Sequence, residues 1–239
     1  MEFQRPLIPA RLERRYKRFL ADVTLEDGST VTAHCANPGS MLGLDMPGSR
    51  VWLEPNDNPK RKLRYSWKII ELSDGTCVGI DTTLPNRLLS RALRNRELAE
   101  LADYATVRAE VNYGQSSRVD FLLTEPGLPD AFVEIKNVHL CREPGWAEFP
   151  DSVTARGTRH LHELAAVARD HRAVLIFLVQ RMDCHRFRLA TDIDPVYAAA
   201  FDSARDAGVD MLCYGTVVSP HAITLGPRIP IDTVWQDRC

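Results

Sequence analysis

The residues with the greatest chemical potential lie between positions 118 and 136. Arg118-Val119-Asp120-Phe121 leads into a turn with Pro126, Gly127 and Pro129, and Val133-Glu134-Ile135-Lys136 follows. Glu134 and Lys136 are two apart, so on a strand their side chains leave the same face. Val133 and Ile135 then enter the core. Asp120 lies fourteen positions before Glu134, on the other arm of the expected hairpin. If the arms pair, two carboxylates and an amine converge at the sheet edge. Close carboxylates repel unless something positive sits between them. Mg²⁺ suits the role, because it takes one or two carboxylates and keeps several waters; Mn²⁺ is the alternative. Such an ion lowers the pKa of a bound water and neutralises charge on a phosphodiester under attack. A nearby lysine can orient that water and stabilise the developing charge. Asp120, Glu134 and Lys136 are therefore the candidate catalytic residues. Asp120, Glu134 and the Ile135 backbone carbonyl are the candidate metal ligands. The competing reading of the same residues is a surface hairpin with a Glu134–Lys136 salt bridge.

The elements around this pattern must hold it in place. Before it, about eighty residues read as five short strands with turns between them: Arg15–Leu25, Thr30–His34, Arg50–Glu54, Ser66–Leu72 and Cys77–Asp81. Asp27-Gly28 is a hairpin signal. Five short strands suggest a closed barrel of the oligonucleotide-binding (OB) type. The texture changes near Thr83. Pro85 suits a first helical turn, and a helix is expected over Asn86–Asn95. The boundary is placed at 83/84, giving a barrel at 1–83 and a second domain at 84–239. There Val107–Tyr113 and Ser117–Leu123 form a hairpin around Gly114, and Ala131–Val138 is a third strand. Thr154–Arg169 has helical spacing, with Leu161, Leu164, Ala165 and Ala168 on one face. Ala173–Val179 is an unbroken apolar run, the mark of a buried strand. Pro195–Ala207 is a helix stopped by Gly208, and Val209–Val217 is a last strand. The fold class is α+β.

Composition narrows the function. The chain has 239 residues, 44% hydrophobic and 26% charged, which suits an ordinary globular protein. Its net charge of -2 argues against a strongly basic, tail-driven nucleic-acid binder. Residues 1–70 nevertheless carry twelve Lys/Arg against eight Asp/Glu, and the chain holds twenty-five arginines against five lysines. Arginine forks suit phosphates. Two basic stretches stand out. Arg14, Arg15, Lys17 and Arg18 interleave with Tyr16 and Phe19. Lys60, Arg61, Lys62 and Arg64 lie near Tyr65 and Trp67, whose rings could stack on unpaired bases. Asn37, Gly39 and Ser40 read as a tight turn. Trp146 and Trp235 are expected to pack. The six cysteines have no metal-knuckle or redox-pair spacing. No apolar run could span a membrane, and no signal peptide is visible. A cytoplasmic location is expected, with a homodimer as the general oligomeric expectation.

The Asp…Glu-x-Lys pattern resembles the PD-(D/E)XK nuclease motif. Longer blocks resemble the sugar fermentation stimulation protein A (SfsA) family: residues 15–23, 34–41, 113–121, 133–138 and 149–161, in family order across nearly the whole chain. Ala36, Pro38 and Ala155 depart from the expected pattern, outside the acidic motif. The resemblance implies an OB-type barrel, a nuclease-like second domain and largely sequence-independent DNA binding. It also implies a role in regulating sugar (maltose) metabolism. Nuclease chemistry would rest on the motif; a non-catalytic DNA-binding regulator on the same scaffold is the alternative. In a nuclease-like fold the preceding helix can add a further acid. Glu97, Glu100 and Glu110 are the candidates, with Glu100 preferred as an added metal ligand. Arg156 and His160, four apart on one helix face, would reach the scissile phosphate. The expected DNA-binding set is the two basic stretches together with Arg118, Arg156 and His160.

Overall fold

The computed structural model describes residues 1–113 and 117–232. Expectations at Gly114, Trp235 and Cys239 lie outside the described residues.

The first half is a closed barrel. Its strands are β1 (Ile8–Tyr16), β2 (Leu20–Leu25), β3 (Thr30–Cys35), β4 (Arg50–Pro55) and β5 (Tyr65–Glu71), with β6 (Cys77–Gly79) added on β5. The order is β3-β2-β1-β4-β5-β6, and β3 closes the ring by pairing with β5 at His34–Ser66 and Cys35–Trp67. Alternate side chains fill the interior: Leu12, Val23, Ala33, Val51, Leu53 and Trp67 are all fully buried. Two readings change here. The run Arg15–Leu25 is two strands, broken by a turn at Lys17–Phe19. Lys17 and Arg18 take positive φ (49° and 62°), a conformation their residue types do not announce. They are therefore turn residues rather than members of a strand face. Trp67 is 0% exposed, and its Nε1 donates to the Ile69 carbonyl at 3.0 Å. It is a core residue and cannot stack on a base.

The second half is a three-layer α/β domain. Its sheet runs β14-β13-β11-β9-β8-β7. The strands are β7 (Thr106–Tyr113), β8 (Ser117–Thr124), β9 (Ala131–Val138), β11 (Arg172–Val179), β13 (Asp210–Val218) and β14 (Ile223–Arg228). β9, β11 and β13 are parallel, joined by crossover helices α2 (Ala155–Val167) and α3 (Pro195–Asp206). Helix α1 (Leu84–Arg94) covers one sheet face, where Leu88 and Leu89 share a core with Val133, Ile135 and Ile176. Helices α2 and α3 cover the other, where Leu161, Leu164 and Phe201 share a core with Leu175 and Phe177. No helix among the described residues is long and apolar enough to cross a membrane.

Sequence reading missed β14 and a small parallel pair, β10 (Gly145–Phe149) with β12 (Cys184–Leu189). The pairing joins segments about forty residues apart, and neither strand is an unbroken apolar run. Trp146 packs beneath two cations, with the Arg186 and Arg188 guanidinium groups 4.3 and 4.9 Å from its ring centre. The described cysteines are all free thiols. Cys141, Cys184 and Asp183 converge, with ligand atoms within 4.8 Å of one another. Both Asp183 oxygens are already held by Arg181, at 2.9 and 2.7 Å.

Candidate active site

The site begins where a strand pair comes apart. β8 and β9 are antiparallel and pair at Leu123–Ala131, Leu122–Phe132 and Phe121–Val133. Asp120 is one position beyond the last pair. Its Oδ2 accepts the Ile135 N–H at 2.8 Å, and its Oδ1 accepts from Asn86 Nδ2 at 2.7 Å. A carboxylate thus takes the hydrogen bond that the diverging ladder would otherwise leave open. Asn86 stands in the first turn of α1; sequence reading looked to the preceding helix for a further acid and did not single out this amide.

Glu134 and Lys136 leave β9 on the face covered by α2, opposite Val133 and Ile135. Glu134 is almost completely buried, with its side chain 4% exposed. Its Oε1 accepts from Lys136 Nζ at 2.8 Å and also hydrogen-bonds His160 Nδ1. Its Oε2 is buried and has no hydrogen-bond partner among the described residues. His160 comes from α2, whose start is fixed by two caps. Thr154 accepts the Gly157 N–H at 3.1 Å, and Asp194 accepts the Thr154 N–H at 2.8 Å. Arg156 Nε donates to His160 Nε2 at 3.3 Å. With Nε2 accepting, Nδ1 carries the proton and donates to Glu134. Arg156 and His160 do share a face, but His160 is buried against the acid and presents no open surface.

The electrostatics follow from this packing. Burial, then the charge of Glu134, push the Asp120 carboxyl up to about 6, against the Ile135 N–H, Asn86 and Lys136. Burial works on Glu134 in the same sense, but His160 and Lys136 outweigh it and hold its carboxyl below the ordinary range. A buried acid and a half-buried one next to one amine therefore share charge unequally, and Asp120 is the one that takes a proton first. A cavity of about 380 Å³ opens at Asp120, lined also by Asn86, Arg87 and Glu110.

The remaining candidates scatter. Glu100 lies in a 3-10 turn at Ala99–Leu101 and is engaged by Arg228 and the Tyr214 hydroxyl. The structure thus turns it away from Asp120 and Glu134, because a cation on β14 neutralises it. Glu97 accepts from Asn95 at 2.9 Å. Glu110 reaches the cavity but is half exposed and pairs with Arg118 at 2.6 Å. Arg14 pairs with Asp22 at 2.9 Å. Arg15 turns inward, because its guanidinium is used up on the carbonyls of Arg18, Asn37 and Gly39 at 3.2, 2.9 and 2.9 Å. Lys17, Arg18, Lys60, Arg61, Lys62 and Arg64 are exposed and make no salt bridge among the described residues.

The Asn37–Ser40 turn does more than reverse the chain. Asn37 is buried; its Nδ2 donates to the Ile80 carbonyl at 3.1 Å and faces His139 Nδ1 at 3.3 Å. Asp151 accepts the Ser40 N–H at 3.1 Å. A Cβ on Gly39 would stand 2.5 Å from the Asp151 carboxylate, so a larger residue here would push that side chain aside. The turn is the joint between barrel and sheet domain.

Two family models match in tandem. Residues 14–80 match the SfsA N-terminal OB domain, and residues 83–222 match the sugar fermentation stimulation protein RE domain. The chain belongs to the SfsA family. A sugar fermentation stimulation protein homolog from Dinoroseobacter shibae is 61% identical over 238 residues, covering 99% of this chain and 98% of that one. A homolog from Agrobacterium fabrum is 51% identical over 237 residues, with 99% and 98% covered. The solved structure of Pyrococcus furiosus SfsA in complex with Ca²⁺ superposes with a TM-score of 0.86 at 28% identity. It covers 97% of this chain and 98% of its own. The SfsA architecture of an OB barrel followed by an α/β domain is thus the architecture described above.

Proposed function

We propose that this SfsA protein binds DNA largely without regard to sequence and cleaves phosphodiesters at a cation-dependent site formed by Asp120, Glu134 and Lys136. The buried, unpartnered Oε2 of Glu134, beside the half-buried carboxylate of Asp120, is the observation that carries this reading. An orphaned carboxylate oxygen is costly unless a cation completes it. The donor set is all oxygen, which suits Mg²⁺ or Mn²⁺. Ca²⁺, the ion of the Pyrococcus furiosus complex, is a hard cation of the same ligand preference.

The residues would divide the work as follows. Asp120, Glu134 and the Ile135 carbonyl hold the ion. When bound, such an ion supplies an acidified water and charge neutralisation at the phosphate. Lys136 orients the attacking water and offsets the charge that builds on phosphate oxygens. His160 keeps Glu134 in its rotamer through the Nδ1–H bond. Arg156, exposed beside His160, is available to a phosphate oxygen. The unpaired cations Lys17, Arg18, Lys60, Arg61, Lys62 and Arg64 are the phosphate contacts on the barrel. Regulation of sugar metabolism would follow from DNA binding.

The deciding experiment incubates supercoiled plasmid and single-stranded DNA with the pure protein in Mg²⁺, Mn²⁺ or EDTA, beside Asp120→Ala. Expected is cleavage that needs the metal and is lost in the variant, with DNA affinity retained. Binding without cleavage by both proteins would overturn the catalytic part and leave a DNA-binding regulator on a nuclease scaffold.

A further inference from the structure

Two thiols come together where β10 and β12 begin. Cys141 lies in the connection between β9 and β10, and Cys184 is the first residue of β12. Gly145, which opens β10, pairs with Cys184 in the parallel ladder, so the two segments run side by side. The two sulfurs and an Asp183 oxygen lie within 4.8 Å of one another. Cys141 is half-buried and Cys184 is buried. Cys141 Sγ reaches the Glu143 carbonyl at 3.2 Å, and Cys184 Sγ lies 3.6 Å from Asp183 Oδ1. The buried Arg181 guanidinium holds both Asp183 oxygens. The hydrogen bond from Cys184, helped by the Arg181 charge, holds the Cys141 thiol below its ordinary range against burial. The same bond, then burial, pushes Cys184 up. One sulfur is prepared to be a thiolate and its neighbour to stay a thiol, the division that stepwise oxidation to a disulfide uses. A soft metal ion fits less well. Its third ligand, Asp183, is spent on Arg181, and a second cation would face that guanidinium.

We propose that Cys141 and Cys184 are an oxidation site, joined by hydrogen peroxide into a reversible disulfide. The Cys141 thiolate attacks one peroxide oxygen and the O–O bond breaks. Cys141 becomes a sulfenic acid, and the other oxygen leaves as hydroxide, which takes up a proton to become water. The Cys184 sulfur then attacks the Cys141 sulfur and the S–O bond breaks. The Cys184 proton goes to the departing hydroxide, which leaves as a second water. Two thiols have lost two electrons and one peroxide has gained them. The bond ties the β9–β10 connection to the head of β12. It draws on none of Asp120, Glu134 or Lys136, so it stands apart from the acid site.

The test treats the reduced full-length protein with hydrogen peroxide, blocks the remaining thiols by alkylation, and reads the digested peptides by mass spectrometry. The zinc content of the purified protein is measured first. Expected is a linked Cys141–Cys184 peptide pair, lighter by two hydrogens than the separate peptides and released by dithiothreitol. Before peroxide, Cys141 should be alkylated at neutral pH about tenfold faster than the buried Cys213, or more. In Cys184→Ser, dimedone should collect on Cys141, because the sulfenic acid has lost its partner. Wild-type protein whose two thiols stay free after peroxide overturns the proposal. So does oxidation of Cys141 to the sulfinic acid with no linked pair. Zinc at one per chain that blocks alkylation of both thiols until it is chelated also overturns it, and makes the cluster a metal site instead.

Discussion

Asp120 accepts two hydrogen bonds and still has a raised pKa, near 6. Burial and a second carboxylate defeat the two donors. An ordinary aspartate titrates near 4, so between about 4 and 6 the cation-free folded chain holds a proton that the unfolded chain has released. By linkage, this group's contribution to stability falls as pH rises through that window, and its destabilising effect is complete above it. Carboxyl-carbon NMR of cation-free protein should show Asp120 titrating near pH 6. Glu134→Gln should move the midpoint down, since it removes the repelling charge. A midpoint that stays fixed would place the cause in burial alone.

At the scale of elements, the site is a meeting of a strand pair with two helices. Helix α2 delivers Arg156 and His160, and its first turn depends on the Thr154 cap. Thr154→Ala should cost about 1 kcal/mol in urea unfolding. It should also loosen His160 from Glu134, seen as faster exchange of the imidazole proton. The strand pair was legible from sequence, because period-two alternation puts Glu134 and Lys136 on one face and Val133 and Ile135 on the other. The hairpin turn then brings Asp120 across. Helix contributions were legible only in part. The four-residue spacing of Arg156 and His160 predicts a shared face, but nothing in that spacing says the face turns inward. Glu100 illustrates the limit. It is a glutamate on a helical turn before the motif, and Arg228, 128 residues later in the chain, takes it out of play. Such pairings depend on sheet order, which a single sequence does not display. The turn at Lys17–Phe19 was missed for a local reason: two basic residues at positive φ carry none of the glycine or asparagine signal that marks such turns.

Across the whole molecule, the basic residues separate into two kinds. Arg15 is an internal tie between the barrel's turns, whereas Lys60, Arg61 and Lys62 stand free in the loop between β4 and β5. Replacing those three by alanine should reduce the slope of log affinity against log salt by about 3 on duplex DNA, near 0.9 for each phosphate that is no longer neutralised. Arg15→Ala should leave the slope unchanged and lower the melting temperature instead. Fluorescence anisotropy across a salt series and a thermal melt would separate the two effects. The joint at Gly39 and Asp151 gives this division a further meaning. It ties the barrel's Asn37–Ser40 turn to Asp151, on the segment that leads into α2 and the site. A strand gripped by the barrel would meet the acids at a constant offset along its length. The protein would then act as a ruler, marking its substrate a fixed number of nucleotides from the point of grip.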